Sequence, residues 1–319
     1  MNKVLNKKGV DFSFSWIFAI IAGAAILVFA IYSASQLIKS GKVQTDTIVA
    51  GEIDSLLNTV STNIEDSKHS VIDFSQDSRI YNDCSIEGAF GVQKLSTSSK
   101  SGNKWSDQSI KKSSFNKYIF SRKIEETKNK KINVLTSQFV EPFKIGDATI
   151  IYGQNYCFVN PSSNIENVFL DLSADGSKDI GINISSSVES CPSNFTKVCF
   201  DRLGCDINVN TQSEVVSKSG KDLYFHGDAL ELSAIFSDPE IYECQLKRFM
   251  KRANELAVVY SKKALYIENY GCNNNLVNDL QSFILSTNIS NSRDFVRQVL
   301  PISQEIARRN DALASCKIF

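Results

Sequence analysis

The sequence predicts an α+β protein with an N-terminal transmembrane helix continuing into a stalk helix, a β-rich middle and a helical C-terminal part. Three observations predict this fold class. Residues 12–38 carry no charged side chain, residues 70–236 contain many short β-branched and aromatic segments, and residues 237–319 repeat apolar side chains at helical spacing. The predicted segments are a cytoplasmic tail (1–11), a transmembrane helix (12–38), a stalk helix (39–69), a β-rich ectodomain (70–236) and a helical C-terminal subdomain (237–319).

The uncharged run at residues 12–38 predicts a single membrane-spanning helix. At ~1.5 Å per residue, a helix of this length covers about 40 Å, which exceeds the ~30 Å hydrocarbon core of a bilayer. The tail contains three lysines and the other flank only two, which favours a cytoplasmic N-terminus and an extracytoplasmic body at the cell membrane. The sequence Ser33-Ala34-Ser35 leaves a cleaved signal peptide as the alternative.

The stalk prediction rests on residues 39–69, which keep a helical spacing of apolar side chains and contain no proline. In the β-rich part, Gly153-Gln154-Asn155 is expected to turn a hairpin between strands at 148–153 and 156–159. The Ser- and Lys-rich stretch at 96–114 is expected to be an exposed loop. Residues 161–175 are expected to form a short helix.

A strong helix start marks the C-terminal part. Ser237-Asp238-Pro239-Glu240 has the form of a capping box with an early proline, so we expect a long helix from this point. Its apolar stripe stops at Gly271, a residue suited to a C-terminal cap. Further helices are predicted at 276–287 and 292–314, with Pro301 bending or splitting the last one.

Every cysteine lies after the transmembrane run, and their number is even. This pattern predicts up to four disulfides in an oxidising compartment, with buried free thiols as the alternative. Sequence alone leaves the pairing open, although one bridge within the densest cluster and one between the last two cysteines are expected. The cysteines are Cys84, Cys157, Cys191, Cys199, Cys205, Cys244, Cys272 and Cys316. Sequons at Asn183, Asn194 and Asn288 predict an extracellular glycoprotein.

No catalytic or metal-binding signature is visible in the chain. His226-Gly227-Asp228 offers a base beside a carboxylate, but no nucleophile or metal partner stands at a known spacing, so a strand-end histidine is expected there. His69 has no such context. The sequence therefore predicts no enzyme activity, no cofactor and no metal. Because 35 basic residues balance 35 acidic ones, we expect no nucleic-acid surface.

Two resemblances concern the N-terminal region. Lys7-Lys8-Gly9 before the apolar helix resembles the prepilin-peptidase site of type IV pilin-like proteins, which implies processing after Gly9 and a new N-terminus at Val10. The chain departs from that family at Phe14, where pilins usually carry glutamate. The sequences at 13–23, 79–84 and 235–253 resemble single-pass membrane proteins of an uncharacterised archaeal family, which implies no activity.

Three functions follow as expectations. The first is a signal-anchored, disulfide-stapled extracytoplasmic protein with a non-enzymatic binding or envelope-assembly role. The second is a pilin-like filament subunit or accessory, and the third is an extracytoplasmic enzyme without a recognisable motif. The small-residue face of Ala19 and Gly23, together with the stalk, predicts self-association or a protein partner in the membrane. A basic stretch at 111–131 predicts either an anion-binding surface or a solvated face.

Overall fold

A computed structural model describes residues 16, 18–36, 68–174, 181–272, 274–313 and 315–319. Helix α1 (Phe18–Gln36) has a mean hydropathy of 2.2 and no buried part, so it is long and apolar enough to cross a membrane. Its position near the N-terminus also fits a signal sequence. The predicted tail, the Gly9 processing site and residues 39–67 of the predicted stalk lie outside the described residues.

The described residues contain both helices and sheets, as expected for an α+β protein. The strands are β1 (Lys68–Asp73), β2 (Ser78–Ser85), β3 (Val92–Ser101), β4 (Lys104–Trp105), β5 (Lys112–Ser114), β6 (Tyr118–Phe120), β7 (Ile124–Glu126), β8 (Lys131–Val140), β9 (Lys144–Tyr152), β10 (Tyr156–Val159), β11 (Ile182–Ser185), β12 (Thr196–Phe200), β13 (Ile207–Asn210), β14 (Val215–Lys218) and β15 (Lys221–Tyr224). The later helices are α2 (Ser163–Ala174), α3 (Gly227–Phe236), α4 (Pro239–Glu268), α5 (Val277–Ser286), α6 (Ser292–Asp294), a π-helical turn (Phe295–Val299) and α7 (Leu300–Asp311).

A four-stranded sheet of order β1-β8-β9-β6 lies at the centre of the body. Its side chains alternate between two cores. On one face, Ile132 and Val134 pack with Ile80 and Leu95 of the sheet built from β4-β3-β2-β7, with β5 paired to β3. On the other face, Leu135 joins the larger core that the helices and the third sheet share. The central sheet is therefore covered on both sides.

The third sheet has six strands in the order β11-β10-β12-β13-β14-β15. Helix α2 is the crossover between β10 and its parallel neighbour β11, as such a connection requires. The turn at Ser219-Gly220 joins β14 to β15 as predicted, and both residues have positive φ angles of 50° and 71°. The hairpin predicted at Gly153-Gln154-Asn155 is wrong, because β9 pairs in the central sheet whereas β10 pairs in the third.

Two disulfides cover the outer face of the third sheet. Cys157–Cys191 and Cys199–Cys205 pack with Val159 in a separate buried cluster, on the face opposite the shared core. Elsewhere, Cys84–Cys244 joins β2 to α4, and Cys272–Cys316 joins the segment after α4 to the C-terminal segment. The eight cysteines therefore form four bridged pairs. Both bridges expected from the sequence are among them, Cys199–Cys205 within the densest cluster and Cys272–Cys316 between the last two cysteines.

The loop predicted at 96–114 is wrong over its first residues. Strand β3 continues to Ser101, and the serine and threonine side chains of 96–99 are buried beside β2. Although the Ser96 hydroxyl has no hydrogen-bond partner among the described residues, a short hydroxyl side chain fits this position where the neighbouring strand supplies one. For example, the Ser98 and Tyr81 hydroxyls lie 3.2 Å apart. The polar composition of residues 96–99 therefore led to a loop prediction where the structure has a buried strand.

Helix α4 begins at Pro239, as predicted, but the predicted capping box does not form. The N-cap residue is Asp238 and not Ser237, whose hydroxyl has no hydrogen-bond partner among the described residues. The Asp238 side chain makes no cap hydrogen bond, and its Oδ2 accepts the backbone N–H of Lys123 at 2.8 Å. The helix thereby fixes the loop before β7. At the other end, Gly271 has φ 85°, as a C-terminal cap requires. The last helical segment contains a π-helical turn just before Pro301, which agrees with the predicted interruption.

A buried polar relay joins α4 to the sheets. Arg248 is fully buried and donates to the carbonyl oxygens of Phe90, Lys117 and Phe115, and to Gln245 Oε1 at 2.8 Å. The relay continues from Gln245 to Gln93 of β3, then to Asn82 of β2 and to Ser121 after β6. Burial lowers the pKa of Arg248 to about 10, so the guanidinium stays charged at neutral pH.

Arg248→Met is expected to destabilise the protein by at least ~3 kcal/mol, because four buried acceptors lose their donor at once. The free energy of unfolding is measured by urea titration of the full-length protein in detergent. Lys262→Met, an exposed position on the same helix, is the control and should change stability by less than ~0.5 kcal/mol. Equal stability of the two variants would contradict a structural role for the relay.

Candidate ligand cleft

A cleft of about 710 Å³ opens where the three sheets meet. Its walls are strand β7, the connection between β9 and β10, and the segment that leads into β12. Nine of its eleven lining residues have polar side chains, and none of the described lining residues is serine, cysteine or histidine. The lining residues are Arg79, Arg122, Ile124, Glu126, Thr127, Lys128, Gly153, Gln154, Asn155, Asn194 and Thr196.

One wall of the cleft carries an arginine held on two sides. Arg79 donates to Glu126 Oε1 from both Nε, at 2.7 Å, and Nη2, at 2.6 Å. The same guanidinium lies 4.0 Å from the ring centroid of Trp105, at the distance of a cation–π contact. These contacts already restrict the Arg79 side chain, so it loses less conformational entropy when a ligand binds. Its remaining N–H donors therefore point in a preferred direction.

The second arginine pairs with a carboxylate beneath the cleft. Arg122 donates to both oxygens of Glu125, at 3.0 and 2.8 Å, and the Glu125 side chain is only 1% exposed. Burial raises the pKa of Glu125, although Arg122 opposes the shift. The Gly153 N–H also donates to Glu125 Oε2 at 3.3 Å. The charge of Arg122 is thus matched locally.

Gly153 holds the turn against β7 at a distance that no other residue permits. A Cβ atom at this position would lie 1.9 Å from the backbone oxygen of Glu126, so any side chain would force the two segments apart. The close approach brings Gln154 and Asn155, with their amide side chains, to the cleft. The need for glycine here is therefore steric.

The arrangement provides donors and acceptors with little net charge. Two arginines are paired with glutamates, and the remaining polar groups are mainly amides and hydroxyls, with Lys128 as a further cation. Such a surface matches a ligand that both donates and accepts, as the hydroxyl groups of a saccharide do. A cleft of this size takes a ligand of several sugar units, and the cleft offers no nucleophile–base pair.

The structure places His226 in a separate carboxylate-rich site. Its Nδ1 lies 2.8 Å from Glu214 Oε1, and its Nε2 lies 3.7 Å from Glu141 Oε1. The partner is therefore Glu214 and not Asp228, which the sequence had offered. The Ser303 hydroxyl donates to Glu141 at 2.6 Å and not to the histidine. This is not the geometry of a serine–histidine pair, in which the hydroxyl contacts the imidazole.

The other residues named from the sequence are scattered. His69 lies in β1, where its Nε2 is 3.0 Å from the amide oxygen of Asn133. All three sequon asparagines are exposed. Asn183 lies on the edge strand β11, Asn194 lines the cleft, and Asn288 lies between α5 and α6. Within the described ranges, no three His, Cys, Asp or Glu side chains come together as metal ligands.

Sequence reasoning missed most of the cleft. Its signals in the sequence were the basic stretch at 111–131, which contains Arg122 and Lys128, and the sequon at Asn194. The structure scatters the other charges of that stretch, since Lys111 pairs with Asp83 and Lys117 is buried. Arg79 and the other amides carried no local signal, because the cleft forms from segments far apart in the chain.

Comparisons with known proteins add no assignment. No family model, no curated protein and no solved structure matches this chain. The class of protein that the structure itself defines is a disulfide-bonded α+β domain preceded by an apolar helix.

Glu231 of α3 is a buried acid whose charge no neighbour compensates. It is 6% exposed, and its Oε1 has no hydrogen-bond partner among the described residues. Burial, with smaller contributions from Asp228, Glu214 and Asp201, raises the pKa of Glu231 to about 7. The folded state therefore binds this proton more tightly than the unfolded chain does, and stability falls as the pH rises from about 4.5 to about 7.

Glu231→Gln is expected to flatten this pH dependence. The shift from 4.5 to about 7 corresponds to roughly 3 kcal/mol of unfolding free energy lost by pH 8 in the parent protein. Urea midpoints measured at pH 5 and pH 8 should differ less for Glu231→Gln than for the parent, whereas the exposed Glu255→Gln should keep the parental difference. An unchanged difference in Glu231→Gln would show that this carboxyl is not the titrating group.

Proposed function

We propose that the protein is a membrane-anchored, extracytoplasmic binding protein of the cell envelope, without enzyme activity, and that its cleft holds neutral saccharides. The observation that carries the proposal is the lining of the cleft. Its arginines are neutralised by Glu126 and Glu125, and amide and hydroxyl groups fill the spaces between them. Charged substrates are not favoured by such a surface, whereas ligands rich in hydroxyl groups are.

Anchoring and compartment are supported by two independent features. Helix α1 is exposed and apolar along its length, and an exposed apolar helix is stable in lipid rather than in water. Four disulfides suit an oxidising compartment, where such bonds persist. The lysine-rich tail adds the orientation with the body outside. Self-association through Ala19 and Gly23 belongs to the same proposal, since small residues let helices approach closely.

The pilin-like alternative differs from this proposal in a single covalent feature. A pilin-like subunit would be cut after Gly9 and would begin at Val10, whereas an anchored binding protein keeps its tail. Phe14 supports the uncut form, because the site that usually carries glutamate in pilins has no charge here. An enzyme remains the third alternative, and the carboxylates around His226 are where its chemistry would be sought.

We expect that protease added to intact cells of the native host will remove the body, and that the intact protein will begin at residue 1 or 2. The lysine excess of the tail is the reason to expect the body outside, and Phe14, in place of the glutamate usual in pilins, is the reason to expect an uncut N-terminus. Mass spectrometry of the purified protein reads the N-terminus. A chain that begins at Val10 would make the pilin-like function the leading one, and a chain that begins after Ser35 would show a signal peptide.

We expect saturable binding of at least one neutral tetrasaccharide from a panel of glucose, mannose, galactose and N-acetylglucosamine oligomers. Calorimetric titration of the full-length protein in detergent measures it. Gln154→Ala should weaken binding by about tenfold, since a lost hydrogen bond of ~1.4 kcal/mol corresponds to that factor.

The matched control is Gln212→Ala, which removes an exposed amide between β13 and β14, outside the cleft. Its affinity should equal that of the parent. Equal affinity of both variants would place the saccharide outside the cleft, and an absence of binding across the panel would remove the proposed ligand class.

A further inference from the structure

We propose that a second pocket, where β6, β9 and α4 meet, binds an oxyanion: a phosphate, sulfate or carboxylate group. The pocket has a volume of about 340 Å³ and shares no lining residue with the ligand cleft. The binding group is the guanidinium of Arg252, with Lys144 and Tyr118 as neighbours. The inference does not depend on the proposed function.

Arg252 differs from every other arginine that is at least half-buried in the described residues. Arg79, Arg122, Arg248 and Arg309 each donate to carboxylates or carbonyl groups. Arg252 makes no ion pair and donates to no carboxylate or carbonyl group among the described residues; its polar contact is the Tyr118 hydroxyl, and its Nε is buried without a hydrogen-bond partner. A buried donor without an acceptor loses its hydration free energy without gaining a hydrogen bond. A ligand that supplies an acceptor for this arginine would remove that penalty.

The hydroxyl of Tyr118, another lining residue of the pocket, is also a buried donor without an acceptor. The residue is 1% exposed, and no described residue accepts a hydrogen bond from its hydroxyl, which lies beside the Arg252 guanidinium. Burial raises the pKa of Tyr118, although Arg252 and Arg248 oppose the shift, so it stays a neutral O–H donor at physiological pH. Its ring is fixed, because it stacks on Phe249 at a centroid distance of 4.1 Å.

The charge around the pocket favours an anion. Lys144 and Arg252 line it against the single lining carboxylate, that of Asp147. That carboxylate is already paired, since Lys144 Nζ lies 3.0 Å from Asp147 Oδ1. The excess positive charge in a half-enclosed space attracts anions more strongly than it would on an open surface.

The occupant is identified by how these donors combine. A planar guanidinium donates two parallel N–H groups, which match two oxygens of a tetrahedral or carboxylate oxyanion. The Arg252 guanidinium and the Tyr118 hydroxyl lie together at this pocket, so one oxyanion can accept hydrogen bonds from both. Phosphate or sulfate ions, the phosphate of a lipid headgroup and the carboxylate of an acidic sugar share this chemistry.

The test measures oxyanion binding to the full-length protein in detergent, at an ionic strength held constant with sodium chloride. Inorganic phosphate, glycerol phosphate and glucuronate are titrated separately, and the melting temperature is recorded at each concentration. A ligand that binds only the folded state raises this temperature in a saturable manner. We expect saturation with at least one of the three, and the tightest of them identifies the source as a free ion, a headgroup or an acidic sugar.

Three variants decide which residue is responsible. Arg252→Met keeps an unbranched apolar stem without the guanidinium and should weaken binding at least tenfold. Arg252→Lys keeps the charge without the paired donors and should give an intermediate affinity. Arg297→Met, an exposed position in the π-helical turn, should bind as the parent does. Near-ultraviolet circular dichroism confirms that each variant is folded.

Two results would overturn the proposal. The first is the absence of saturation with all three anions in the parent protein. The second is equal affinity of the folded Arg252→Met and Arg297→Met variants, which would assign Arg252 to surface packing alone. Neither result bears on saccharide binding in the cleft, because the two sites share no residue.

Discussion

The buried charge of Arg248 is the constraint on which the arrangement of the body depends. No carboxylate neutralises it, so three backbone carbonyls and Gln245 must surround it in one geometry. Two of those carbonyls, of Phe115 and Lys117, belong to the segment that enters β6. A buried charge tolerates no loss of its partners, because each unsatisfied group costs its full hydration free energy. Helix α4 can therefore sit against the sheets in only one register.

The position of α4 against the sheets also determines the geometry of the ligand cleft and of the oxyanion pocket. Arg252 lies one turn after Arg248 on α4, and the Tyr118 ring contacts both Arg248, at 4.9 Å, and Phe249. The relay ends at Ser121, next to Arg122 of the ligand cleft. The bridge Cys84–Cys244 ties the same helix to β2. The two sites thus lie on either side of one rigid junction and differ in whether their arginines are paired.

What the sequence predicted correctly depends on local interactions. The apolar helix, the start of α4 at Pro239 and the Ser219-Gly220 turn are encoded within a few neighbouring residues, and the structure contains all three. Sheet partition was not predictable in this way: β9 and β10 are adjacent in sequence but pair in different sheets, because pairing is decided by distant strands. The loop predicted over the buried serines of β3 was wrong for a related reason, since these residues pair with β2, which is distant in sequence. The cleft and the oxyanion pocket are likewise built from distant segments.

The third sheet shows how the fold and its compartment are connected. An open sheet with parallel strands normally has helices on both faces, because both faces are apolar. Here the inner face packs on the shared core, whereas Cys157–Cys191 and Cys199–Cys205, with the segment that joins β11 to β12, cover the outer one. A cover of this size buries little apolar area, so covalent closure replaces the second helical layer. The outer face would lose that closure in a reducing compartment, which is why the sheet itself is an argument for an oxidising one.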